Sequence, residues 1–416
     1  MGSIAPQRAR VAAGAAVVLA LVLMLRAAFP MEPGLDYFQD ASAAIDALAR
    51  GDVRGYLDQR ALMGSFSLLL RAPFVALVFE EDVNVVYYAG VLPCFAAVMA
   101  LAVVLRRRMT ALGKPAAAVT LVTVVALLNP GIVRSIHWGH PEELLAGALC
   151  VGAVLAATRG RSPLAGLLLG LAVATKQWAL IAVVPVLLAA TERRVVLALV
   201  AGALALALTV PSVMAAPATF VSVQQEAAQA GGPIGPANVW WPVSSPRTAT
   251  ERADAAPGFA YEIPAWLAGL THPMIVLAAL PLGWLFWRRR ARLAPEDALG
   301  LLALLLLVRC LLDPWNNDYY HAPFLLALLA WEAVARSGWP RLTLLAAVAL
   351  AFTFPASALT FTELSAAGAL LGVTYLGWAI PLAGWLAIGV FAPATRDAIV
   401  AGVRARFAAQ PAAARA

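Results

Sequence analysis

Charge is scarce in this chain: 13% of its 416 residues are Asp, Glu, Lys or Arg, while 62% are hydrophobic. A soluble domain carries about 25% charged residues, so the composition excludes one, and the number of separate apolar runs excludes a single anchor. The expected class is an all-α polytopic membrane protein. Cysteine is scarce too, and Cys94, Cys150 and Cys310 all fall inside apolar runs, where a thiol behaves as a small hydrophobe. Neither a disulfide framework nor a zinc site is indicated. Lysine is nearly absent, with only Lys114 and Lys176 among the 30 basic residues. A lysine between apolar segments is therefore not explained by composition.

The apolar runs place about twelve spans at 11–29, 84–105, 115–128, 142–158, 163–175, 177–191, 195–214, 274–287, 297–312, 322–335, 340–356 and 368–391. Arg8 and Arg10 precede the first, which resembles a signal peptide, but the small-residue cleavage site is missing, so it is read as an uncleaved span. Leu164 to Thr191 would reach about 42 Å as one helix, against a hydrocarbon core of about 30 Å. Two short helices breaking near Thr175-Lys176-Gln177 fit better, and they put Lys176 at the outer end of a half-depth hairpin.

With the N-terminus in the cytoplasm, the inner segments hold 20 of the 30 basic residues, in clusters such as Arg106–Lys114, Arg288–Arg292 and Arg336/Arg341. Only Glu192, Glu296, Asp297 and Asp397 oppose them there, so the inner side is strongly positive and the rest is net negative. Both termini are then cytoplasmic in a bacterial plasma membrane, and all four histidines lie outside. The chain reads as one membrane-embedded domain, 1–416, with a first outer loop, 30–83, carrying interfacial helices, and a large outer loop, 215–273. The basic side holds no region of domain size, and there is no Gly-x-Gly-x-x-Gly turn after a strand and no Gly-x-x-x-x-Gly-Lys loop. A water-soluble nucleotide has no recognisable place to bind, and nucleic acid is not indicated.

The first outer loop opens on Pro33-Gly34-Leu35-Asp36-Tyr37-Phe38-Gln39-Asp40. Ala41, Ala44, Ile45 and Leu48 then follow at helical spacing, which predicts a short interfacial helix stopped at Gly51. Asp36 admits two readings, a cap for that helix or a base at the membrane surface. Arg134, His137, Trp138, His140, Glu142 and Glu143 in the second loop, Lys176 in the hairpin, and Asp313 to His321 in the fourth loop can converge with Asp36 and Asp40 on one outer cavity. Each has a plainer role. Lys176 can snorkel to headgroups, His140 and Glu142 can cap a helix end, and His321 can be structural. Trp315, Tyr319 and Tyr320 can form an interfacial belt, and Arg309 can pair with Asp313 one helical turn on.

Three stretches resemble a known family: Gly34-Leu35-Asp36-Tyr37-Phe38, Trp138-Gly139-His140-Pro141-Glu142-Glu143, and Ala165 to Lys176 with its Gly-Leu-x-x-x-Gly-Leu-Ala-x-x-Thr-Lys pattern. They resemble the C-superfamily (GT-C) membrane glycosyltransferases, closest to glycosyltransferase family 87, the actinobacterial polyprenol-phosphate-mannose-dependent mannosyltransferases. The resemblance covers roughly residues 10–335. It implies a hexosyltransferase moving a sugar, mannose in that family, from a polyprenyl phosphate to a lipid or glycan acceptor on the outer face. By that resemblance Asp36 matches the catalytic base, and Lys176 and His321 look like groups near the lipid phosphate; Asp40, His140 and Glu142 complete the expected substrate-binding residues. Asp40 competes with Asp36 for the role of base, and the last three spans match no motif. No cofactor is called for. The acidic outer residues leave room for a divalent cation, although no ligand spacing argues for one. The competing reading is a multi-span transporter or a flippase for lipid-linked sugars, against which stands the lack of a second interrupted hairpin in the later half. A non-catalytic scaffold is a third.

Overall fold

The computed structural model describes residues 34–59, 64–78, 82–229, 233–235, 237–247, 261–358 and 364–402. The expected first span, 11–29, lies outside them, as do the C-terminal residues 403–416 and much of the tip of the 215–273 loop. Every later expected span falls on a helix, from Val83–Ala111 to Leu364–Phe391. Among the described residues, five helices are long and apolar enough to cross a membrane by themselves: Val83–Ala111, Ala116–His137, Arg194–Ala215, Ala265–Arg292 and Leu370–Phe391. Many of the others are short. Pro141–Ala157 and Asp297–Leu312 reach only about 24–26 Å at 1.5 Å per residue, less than a bilayer core.

Those two helices, with Ala322–Ala335, are buried along nearly their whole length and form the middle of the bundle. An all-round apolar helix in such a place is packed by protein on every side. Arg194–Ala215 lies at the margin with Val195, Leu199 and Leu206 exposed, which is how a lipid-facing helix presents itself. The hairpin break is present: Ser162–Thr175 ends at Lys176 in an extended conformation (φ −148°, ψ 134°), and a 3₁₀ segment, Gln177–Ala182, follows.

The central helices run between two chemically different ends. At one end the basic loops meet. Arg108 pairs with Glu296 at 3.1 Å, Arg336 with Asp297 at 2.9 Å, and Lys114 donates to the Arg336 carbonyl. His140, Lys176 and Asp313 stand at the opposite ends of the helices that start or finish there.

The first outer loop holds a continuous helical stretch, 35–49, whose Phe38–Ser42 turns are π-helical. Ala41, Ala44 and Ile45 are buried, Leu48 is half-buried, and the chain turns at Gly51, as the spacing predicts. A further apolar helix, Ser65–Ala76, packs against it. In the large loop, Pro217–Gln229 is helical, and three two-residue strands, Pro233–Ile234, Tyr261–Glu262 and Ser245–Pro246, pair antiparallel in that spatial order.

Candidate active site

A close approach of two backbones creates the site. The Gly34 N–H donates to the His137 carbonyl at 3.1 Å, and a Cβ at Gly34 would lie 2.8 Å from the Trp138 carbonyl oxygen. Gly139 sits at φ +90°, where a Cβ would meet Tyr37 at 2.8 Å. Only glycine allows both the conformation and the contact. The first loop is thereby laid across the turn that precedes the Pro141–Ala157 helix.

Asp36 lies in the first turn of its helix, but its side chain leaves the backbone: Oδ2 is 3.0 Å from His140 Nε2. Its side chain is 34% exposed, which leaves it open to a reactant. The other nitrogen of the ring, His140 Nδ1, lies 2.8 Å from Glu142 Oε1, and the same oxygen takes Lys176 Nζ at 3.0 Å. Glu142 Oε2 faces Arg71 at 4.0 Å. Both Glu142 and Glu143 belong to the first turn of the helix, where free N–H groups and the dipole favour carboxylates. Glu143 forms a two-pronged pair with Arg309 at 3.1 and 3.2 Å and accepts from Trp178 Nε1 at 3.0 Å. The Arg309 guanidinium lies between the Trp178 and Tyr320 rings, 4.5 and 4.6 Å from their centres.

The structure therefore brings Asp36, His140, Glu142 and Lys176 into one connected chain of contacts drawn from three parts of the sequence. Asp40 joins them electrostatically. Burial raises its carboxyl above the ordinary value, opposed by the nearby His140 and Lys176. For His140, burial works against the charged ring, but the Glu142 carboxylate and the hydrogen bonds that the ring donates to Asp36 and Glu142 outweigh it and hold the ring up to about 9.

His321 is elsewhere. It is fully buried, its Nε2 meets the Tyr375 hydroxyl at 2.9 Å, and its Nδ1 faces the Asn317 and Asp318 carbonyls. Burial holds the ring down to about 3, so it is neutral and its described contacts are those of a structural histidine. Arg309 pairs with Glu143 rather than with Asp313, because the Asp313 carboxylate turns back to accept from the Trp315 N–H at 2.9 Å. Tyr319 and Tyr320 are not an interfacial belt: Tyr319 is buried and stacks on His140 with ring centres 4.4 Å apart, and Tyr320 lies under Arg309. Arg134 pairs with Asp318 and lies over Trp138, which ties the fourth loop to the same turn.

The sequence reading missed Arg71 and the roles of Glu143 and Trp178. The signal for Arg71 is the one that marks Lys176, a single charge inside an apolar run, here Leu68-Leu69-Leu70-Arg71. Lys176 also opens on a cleft of about 130 Å³, walled by Leu57, Leu68, Val173 and Phe220 and dotted with Ser65, Gln177, Thr209 and Ser212. Among the described residues no group of three or more His, Cys, Asp or Glu side chains is placed to hold a metal ion.

Of the known families, glycosyltransferase family 87 has a model that matches residues 62–314, more than half of the chain. No curated protein and no solved structure matches it.

Proposed function

We propose, because the chain belongs to glycosyltransferase family 87, that this membrane glycosyltransferase takes its sugar from a polyprenyl phosphate, with Asp36 as the general base. The family accounts for glycosyl transfer; the donor, the sugar and the residue roles are the proposal. What carries it is the partly exposed Asp36 carboxylate, held at one oxygen by His140, in one chain of contacts with a lysine that opens on a mixed apolar and hydroxyl-lined cleft.

The acceptor hydroxyl attacks the anomeric carbon and gives its proton to Asp36. The bond from that carbon to the phosphate oxygen breaks with its electron pair going to the phosphate. Lys176, the cation at the cleft, is suited to stabilise the charge that develops there. The apolar wall suits the first isoprene units of the carrier. A single displacement with one base inverts the anomeric centre. Asp40, beside the same ring and lysine, is the second carboxylate in reach and is assigned to substrate binding, together with His140.

Mannose is the sugar we infer, by the family resemblance of the Gly34–Phe38, Trp138–Glu143 and Ala165–Lys176 stretches. The outer face is supported by the two ends of the bundle. The basic loops gather at one, and the cluster around Asp36 stands at the other, so the positive-inside rule favours an outward-facing site. The acceptor is then a lipid or glycan of the cell envelope.

The donor is tested with purified protein in liposomes given polyprenyl-phospho-mannose or nucleotide-activated mannose, each with a lipid extract as acceptor. Transfer from the lipid-linked donor alone, with an inverted linkage in the product, is expected. Transfer from the nucleotide sugar, or a retained configuration, would sink the proposal.

A further inference from the structure

We infer that Glu142 is a positioning residue whose Oε1 holds the His140 ring and the Lys176 ammonium together, and so fixes the Asp36 carboxylate relative to the cation at the cleft. This rests on the reading of Asp36 as the base. Glu142 itself is 0% exposed, so a substrate cannot reach it. It acts through its neighbours.

The argument is one of proton counting. His140 has a carboxylate on each nitrogen, Glu142 at 2.8 Å and Asp36 at 3.0 Å. A neutral imidazole has one N–H and one lone pair, so it could satisfy only one of them and would turn its lone pair on the other. Only the imidazolium donates to both. The ring must carry both protons to hold Asp36 by Oδ2 while it also donates to Glu142. A group that keeps it charged is therefore part of the machinery.

The charges around the ring point the same way. Glu142 comes from the ring's own helix, Asp36 and Asp40 from the 35–49 helical stretch, and Lys176 from the hairpin break; the Tyr319 ring covers one face. Three carboxylates face one ammonium. Glu142 is the most deeply placed of the three and is approached by cations from three elements: His140 at 2.8 Å, Lys176 at 3.0 Å and Arg71 at 4.0 Å. A carboxylate pinned in that way cannot wander, and neither can the ring it holds.

Glu142→Gln keeps the size of the side chain and removes its charge. The His140 ring then faces Lys176 with less to oppose it, and it becomes neutral at a lower pH. Asp36 is released when that happens, so transfer fails at a lower pH as well.

The test is a histidine titration by NMR on the full chain in detergent micelles, labelled with ¹⁵N-histidine. With only four histidines the spectrum is readable, and His140→Gln assigns the ring in question. In the wild type this ring is expected to titrate near 9. In Glu142→Gln it is expected to titrate lower by about one pH unit or more, with the alkaline limb of the transfer rate moving by the same amount. A wild-type His140 that titrates at the ordinary 6.5, or a ring and an alkaline limb unmoved by Glu142→Gln, would overturn the inference. The wild-type titration decides it even if the variant fails to fold. It needs no sugar transfer, so a wild type that transfers nothing counts against the donor reading and not against this one.

Discussion

At the scale of single residues, the site consists of charges whose partners lie far away in the chain. Glu143 and Arg309 are separated by 166 positions, yet both are nearly fully buried and meet in a fork. Removing one member strands the other in a low-dielectric interior. Arg309→Met is therefore expected to destabilise the protein by about 3–5 kcal/mol, seen as an earlier thermal unfolding in detergent, and Glu143→Gln added to it is expected to recover part of that loss. Equal stability of Arg309→Met and the wild type would show that the pair is idle. The individual residues were legible because charge is so scarce that each buried charge stands out. Their pairing was not, because nothing local distinguishes Asp313, four residues from Arg309, from a glutamate on another helix. The deciding facts are an Asp313 carboxylate already committed to the Trp315 N–H and a Glu143 that offers two oxygens to the guanidinium fork.

At the scale of elements, the hairpin 162–189 sets the position of Lys176, and its first half is locked in place by small residues. Cβ atoms at Gly166 and Gly170 would lie 2.6 and 2.7 Å from the Leu197 and Ala201 carbonyl oxygens of the Arg194–Ala215 helix. Glycines four apart allow two helices to touch backbone to backbone, a device suited to membranes. Gly170→Leu should force the pair apart, costing about 1–3 kcal/mol by overpacking and lowering transfer through displacement of Lys176. Unchanged thermal unfolding and unchanged transfer would contradict this. The helix ends and the break at Lys176 could be read from apolar run length and from the charge rule. Two features could not. The Ser65–Ala76 helix lay inside what reads as an outer loop, because Arg71 interrupts its apolar run and conceals a buried helix. The π-helical turns at Phe38–Ser42 leave no mark in the periodicity of so short a segment.

At the scale of the whole molecule, the bundle has a basic end and a site end, and this polarity is what the sequence states most openly. The number of crossings is less plain: the eleven apolar runs that fall among the described residues give helices, but central ones such as Pro141–Ala157 are short and wrapped by protein, so apolar length alone does not tell a span from a core helix. Orientation is open to a direct check, since Cys94, Cys150 and Cys310 are all fully buried and give no background labelling. A membrane-impermeant maleimide applied to intact cells should label Asp58→Cys in the first loop and spare Ala294→Cys at the basic end, both exposed positions; the reverse pattern would turn the molecule over. The most direct measurement is transfer of labelled mannose from polyprenyl-phospho-mannose to endogenous acceptor in membranes, comparing the wild type with Asp36→Asn at matched expression. A general base contributes about 10²–10⁴-fold, so a loss of that size is expected from a variant that still folds. Equal transfer by the two proteins would contradict the assignment of Asp36 and move the base to another carboxylate, such as Asp40.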